Sequence, residues 1–212
     1  MDQNKLFTKE TLLTVVCGIL LNMLAAQLVL AWKLPLFLDS LGTIYVAALC
    51  GTLPGITVGF FSNVINAAGD PITLYYGIIS ILLGYLAAHL SLRKMFVRYG
   101  KALLSSLLFA LIGGGLGALL TWMLSGLDFG TGISAPYAYA LFDHYGFSKF
   151  AAQLTADLCV DIPDKAVSLS LVWLMLRFTP ARFLDKLPMG SLYVSARKKP
   201  AADTSGESGV NS

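Results

Sequence analysis

LPLFLDSLGTIYVAALCGTLPGITVGFFSNVIN, from Leu34 to Asn66, decides how the chain folds. It is almost wholly apolar, yet Gly51-Thr52-Leu53-Pro54-Gly55 interrupts it midway and Asp39 stands near its start, after Pro35. A soluble core has no use for so long an apolar run. A single membrane span would not carry a Pro-Gly break at its centre and a carboxylate at its mouth. The pattern predicts two short helices, Ser40–Cys50 and Ile56–Asn66, that enter a bilayer and turn back at Gly51–Gly55, with polar groups left at one end.

Composition points the same way. Of 212 residues, 56% are hydrophobic and 13% charged, about half the charged fraction of an ordinary globular domain. The chain reads as an integral membrane protein with room for one bundle, residues 1–180, and no separate soluble catalytic domain. The net charge of +3 gathers at a few membrane edges, so it bears on topology and does not suggest nucleic-acid binding. Cys17, Cys50 and Cys159 lie in apolar runs and form no CxxC pair. They read as packing residues. With only His89 and His144 beside them, no metal site or cofactor site is expected.

Spans are expected at Thr11–Trp32, Ile72–Leu92 and Ala102–Ser125, each close to the roughly 20 residues a crossing needs. A last apolar stretch runs from Phe147 to Phe178 with acidic residues in its first half. The first of these spans is longer than a signal-peptide core and lacks a clear small-x-small cleavage site, so an uncleaved helix is expected. Basic residues orient the whole. Arg93, Lys94, Arg98 and Lys101 form one cluster; Arg177, Arg182, Lys186, Arg197, Lys198 and Lys199 form another. Short basic loops stay cytoplasmic. If Leu34–Asn66 crosses twice, Lys5 and Lys9 join them on the inside. The crossings would then be about 15 residues each, about 22 Å at 1.5 Å per residue, short enough to require bilayer thinning or shielding by neighbours. The expectation is an all-α six-helix bundle with both termini cytoplasmic. Residues 181–212 would form a cytoplasmic tail, disordered over the Lys-, Ser- and Gly-rich end from Ser195. Gly55, Gly59 and the patch Gly113, Gly114, Gly115 and Gly117 are small surfaces that let helix backbones approach in lipid.

The Leu34–Ala67 segment resembles the second and third helices of the substrate-binding S components of energy-coupling factor (ECF) transporters. The matching features are Asp39 ending a loop, the short helix Ser40–Cys50, the Gly51-x-x-x-Gly55 turn and a second short helix closing on Asn66. The closing DIPDKAVSLSLVWLMLRFTP, Asp161–Pro180, is similar to the last helix of several members. The resemblance implies a non-enzymatic protein of a prokaryotic cell membrane that binds a vitamin or related micronutrient near the outer face. It implies as partners a transmembrane coupling subunit and two cytoplasmic ATPases. The absence of a Gly-x-x-x-x-Gly-Lys-[Ser/Thr] loop suits a chain that relies on ATPases supplied by others. One departure concerns docking: many members carry an Ala-xxx-Ala face on the first helix, where this chain has Thr14/Gly18 and Asn22/Ala26.

Polar residues within a membrane are costly and mark function when they face the bundle interior. Asp157, Asp161 and Lys165 share one helix face by i, i+4 spacing, with Asp164 about 100° away and Gln153 one turn earlier. Two accounts stand open: an internal Asp161–Lys165 pair, or a pocket-facing Asp157 or Asp161 that hydrogen-bonds a donor-rich ligand. Asp39 either caps the second helix or meets that ligand. Asn63 lies towards the outer end of the third helix, with Asn66 beyond it. Trp32, Tyr75 and Tyr76 suit an interfacial aromatic belt and, under the resemblance, equally suit stacking on a flat heterocycle. The loop Gly126–Gly146, with Tyr137, Tyr139, His144 and Tyr145, reads as an interfacial segment or a lid. The candidate substrate-binding residues are therefore Asp39, Asn63, Tyr75, Tyr76, Gln153, Asp157 and Asp161. No nucleophile elbow or catalytic constellation is present. A self-sufficient ion-coupled transporter, suggested by the acidic face, and a ligand-sensing membrane module are the alternatives.

Overall fold

The computed structural model describes residues 5–198, and every regular element among them is helical. In chain order these are α1 (Lys9–Trp32), α2 (Leu41–Cys50), α3 (Thr52–Asn66), α4 (Thr73–Leu92), a 3₁₀ turn at Met95–Val97, and α5 (Tyr99–Ala110). A π-helical turn, Leu111–Leu116, joins α5 to α6 (Gly117–Leu124), and α7 (Ala135–Tyr145), α8 (Lys149–Phe178), α9 (Ala181–Leu184) and α10 (Ser191–Lys198) follow. Three stretches are long and apolar enough to cross a membrane: Lys9–Trp32, Thr73–Leu92 and the continuous Tyr99–Leu124. Their outward faces carry large apolar side chains, among them Leu12, Leu24, Ile78, Leu104 and Leu111. That is the surface a lipid-facing helix needs and a water-facing one avoids.

The decisive segment differs from expectation in its break. The turn is one residue wide: Gly51, at φ 95°, ends α2 and starts α3, and Pro54 lies inside the first turn of α3. Only glycine adopts that backbone without strain, and proline is tolerated in a first turn because the N–H it lacks has no intrahelical partner there. Helix α2 spans 10 residues, about 15 Å, and it is the centre of the bundle. All of its residues except Tyr45 are buried, by α1, α3, α4 and α8. So short an apolar element is shielded on nearly every side by protein.

Close backbone approach builds this centre. A Cβ at Gly42 would run into the carbonyl of Gly18, and one at Gly59 would strike the backbone of Ser80. Helices α1, α2 and α3 are also tied by one buried amide. Asn22 donates from Nδ2 to Thr43 Oγ1 at 2.9 Å and Ser62 Oγ at 3.1 Å, and its Oδ1 accepts from the N–H of Gly42 at 2.6 Å. Thr14, Gly18 and Asn22 are therefore buried against α2 and α3. Of the four positions aligned above with a docking face, these three lie inside the bundle and Ala26 is half-buried, and the exposed side of α1 carries bulky Leu and Val.

Both basic segments and the Gly51 turn meet at one end of the molecule. The Met189 N–H donates to Leu49 O at 2.8 Å, Ser91 Oγ donates to Ala48 O at 2.8 Å, and Tyr193 OH sits 2.6 Å from Ser91 Oγ. The start of α1 joins them through Glu10–Lys186, 3.2 Å, and Lys5 Nζ to Asp185 O, 2.8 Å. Residues 181–198, assigned above to a tail, fold back here: Leu184, Leu187, Met189 and Tyr193 are buried, and Arg197 donates to the Thr179 and Leu176 carbonyls that end α8. The expected disorder beyond Lys198 falls outside the described residues.

Candidate ligand cavity

A cavity of about 330 Å³ opens among α3, α4, the π-helical turn, α6, α8 and the loop Gly130–Ser134. Pockets for small molecules begin at about 300 Å³. Helix α8 supplies three of its charged groups. Along α8, Asp157, Asp161 and Lys165 repeat every four residues and all line the space, spanning about 12 Å of helix. Pro163 lies inside α8, and the helix continues through it to Phe178.

The acidic groups differ in what they already hold. Lys165 Nζ is 2.6 Å from Asp164 Oδ2 and 3.3 Å from Asp161 Oδ1. Asp164 spends its other oxygen on two backbone donors, the N–H groups of Phe37 and Leu38, both at 2.8 Å. Those N–H groups belong to the irregular segment between α1 and α2, which has no helical partner for them. Asp164 lies 15 residues from the start of α8, about 22 Å along its axis. The loop thus dips to the middle of the bundle, where non-helical backbone persists only with internal partners. Asp164 is the residue the periodicity argument set aside. Its partners stand more than 120 positions away in sequence, and no local signal reveals them.

Asp157 Oδ1 accepts from Gln153 Nε2 at 2.9 Å, and Gln153 reaches Ser134 Oγ and the Gly130 N–H at 3.5 Å each. Gln153 is completely buried behind the cavity and ties the loop to α8. Two carboxylate oxygens are buried without a donor in hydrogen-bond range: Asp157 Oδ2 and Asp161 Oδ2. Their residues are 8% and 4% exposed and line the cavity. A Cβ at Gly113 would strike Asp161 Oδ2, so the π-helical turn leaves that oxygen its room. Such turns concentrate at functional sites.

Asp39 lines the cavity floor, exposed to it, within electrostatic reach of Asp161 and Lys165. It does not cap α2, whose first turn follows Ser40 and receives no side-chain cap. Asn63 lines the opposite wall, donating to Ser80 Oγ at 2.7 Å and Gly59 O at 2.9 Å. Tyr76 faces the cavity and sits 2.6 Å from Thr121 Oγ1, whereas Tyr75 points outward, 60% exposed. Phe37, which sequence reasoning did not single out, adds a second ring to the lining. The long loop contains α7, and its Tyr137, Tyr139 and Tyr145 are exposed; the cavity is roofed by Gly130–Ser134 just before it. His89 stacks on Tyr85 at 4.1 Å, away from the cavity.

Among the described residues, no group of three His, Cys, Asp or Glu is arranged to hold a metal ion. The wall can accept hydrogen bonds, offer two aromatic side chains and hold negative charge. Compared with protein-family models, with curated proteins and with solved structures, the chain matches none.

Proposed function

We propose that this chain is the substrate-binding S component of an energy-coupling factor transporter, capturing a vitamin-like micronutrient from the outer side of a prokaryotic plasma membrane. In this reading six helices cross the bilayer: α1, α2, α3, α4, the α5–α6 span and α8. The termini and both basic segments face the cytoplasm. The observation that carries the proposal is the 330 Å³ cavity with two unpartnered carboxylate oxygens. It lies between helices, on the side of the bundle away from the basic segments, as a site loaded from outside requires. An even number of passes is supported by the Gly51 turn, which shares an end with the basic segments, since short basic loops remain inside. The chain binds and positions a solute, and a coupling subunit with two ATPases supplies the work of transport.

Affinity purification of the tagged chain from its native membrane tests this. The expected result is recovery of a transmembrane coupling subunit and two ATPases, with solute uptake by the reconstituted complex that requires ATP. Uptake by this chain alone, driven by a proton gradient in proteoliposomes, would overturn the proposal in favour of an ion-coupled transporter.

A further inference from the structure

Charge in the cavity is unbalanced. Asp39, Asp70, Asp157 and Asp161 line it, Asp164 stands directly behind, and Lys165 is the one cation among the described residues of the lining. Lys165 is already committed to Asp164 and Asp161. Asp157 is met only by neutral groups, the Gln153 amide on Oδ1 and the nearby Ser134 hydroxyl, and Asp157 Oδ2 and Asp161 Oδ2 are buried with no donor within hydrogen-bond distance. These two oxygens belong to residues one helical turn apart on the same face, about 6 Å in rise. A buried carboxylate left without a donor is expensive, and a charge-assisted hydrogen bond is the strongest way to satisfy it. The lining offers no free cation to do so. A bare metal ion is a poor candidate, because no three ligands converge among the described residues and the space is more than twice the roughly 150 Å³ that holds a benzene ring. Phe37 and Tyr76 give that space two ring faces, suited to a flat or cationic group.

Resting on the reading of this cavity as a solute site, we infer that its ligand is a small organic cation. A ring-bearing molecule presents an amine, amidine or protonated heterocyclic N–H to the carboxylates of Asp157 and Asp161, both of which line the space. The donor group bridges the two carboxylates at the wall, and the ring lies towards Phe37 and Tyr76. Specificity then depends on charge: a neutral isostere lacks the positive head, and an anion meets four carboxylates.

The test uses the full chain in detergent and three probes of nearly one shape: benzamidinium, benzamide and benzoate. Binding is followed by calorimetry and by thermal unfolding. Benzamidinium is expected to bind more tightly than benzamide by on the order of tenfold or more, the equivalent of one charge-assisted hydrogen bond, with benzoate weakest. Asp157→Asn and Asp161→Asn should each remove most of that preference. Both variants keep the surrounding contacts: in the first, the new amide oxygen still accepts from Gln153, and in the second, Lys165 retains Asp164. The unliganded unfolding temperature checks their fold. Equal affinity for benzamidinium and benzamide, absence of benzamidinium binding, or an unchanged preference in both variants overturns the inference. Such a result leaves the S-component reading standing if the coupling subunit and ATPases still copurify. Failure of copurification with the cation preference intact does the reverse.

Discussion

Removing the ammonium of Lys165 while keeping its length, as in Lys165→Met, isolates the electrostatic core of α8. Its side chain is 3% exposed, and Nζ sits 2.6 Å from Asp164 Oδ2 and 3.3 Å from Asp161 Oδ1. The substitution strips a partner from two buried carboxylates at once. Deleting one member of a buried ion pair costs about 3–5 kcal/mol, because the remaining charge is left uncompensated. At about 2–4 °C per kcal/mol for a chain of this size, the unfolding midpoint should fall by about 6–20 °C. Differential scanning fluorimetry in one detergent, read from the intrinsic tryptophans, measures it. The reasoning contains an internal control: Asp164→Asn added to Lys165→Met removes one stranded charge, while the new amide oxygen still accepts from the N–H groups of Phe37 and Leu38. The double variant should therefore regain part of the loss. A midpoint for Lys165→Met within about 2 °C of the parent would refute the claim that this cluster holds the helix and the re-entrant loop together.

Other perturbations read different parts of the molecule. Gly117 lines the cavity and has ordinary space for a side chain, its hypothetical Cβ meeting only Ile79 Cδ1 at 4.0 Å; Gly117→Leu should abolish solute binding with little loss of stability, checked by calorimetry beside thermal unfolding. Gly113→Ala instead drives a methyl into Asp161 Oδ2 and should cost about 1–3 kcal/mol, the range for overpacking, in the same unfolding assay. Asn22→Ala should lower stability by about 1–3 kcal/mol, since it leaves the buried Gly42 N–H, Thr43 and Ser62 without their common partner. In the loop before α7, the Phe129 N–H and Lys149 hold the Asp128 carboxyl below its ordinary 3.8. A depressed folded-state value stabilises above the ordinary one and is lost as pH falls through the depressed one. The Asp128 titration followed by NMR should have its midpoint below 3.8 and move up in Lys149→Ala.

The apolar break between Leu34 and Asn66 was legible because glycine and proline interrupt a helix for steric reasons that act locally. Its width was not: Pro54 looked like part of the turn, yet a first helical turn tolerates it, and Gly51 alone reverses the chain. The face Gln153, Asp157, Asp161, Lys165 was legible from four-residue spacing alone. Spacing could not say that Asp164, about a hundred degrees around the helix, would find the backbone of Phe37 and Leu38. It also could not separate Tyr75 from Tyr76, since adjacent residues differ in direction by the rotation of the whole helix. The π-helical turn at Leu111–Leu116 reads in sequence as a smooth glycine patch; its role in leaving room for Asp161 depends on a helix that follows much later in the chain. The fold-back of residues 181–198 was missed because its apolar residues, Leu184, Leu187, Met189 and Tyr193, are too sparse to register beside the spans.

Mass spectrometry of small molecules released from the purified protein tests the central claim most directly, with Gly117→Leu carried through the same purification. The account predicts one discrete organic compound from the parent protein, positively charged at neutral pH, and none from the folded Gly117→Leu variant. A folded parent that releases nothing, or the same compound in equal amount from parent and variant, would contradict it.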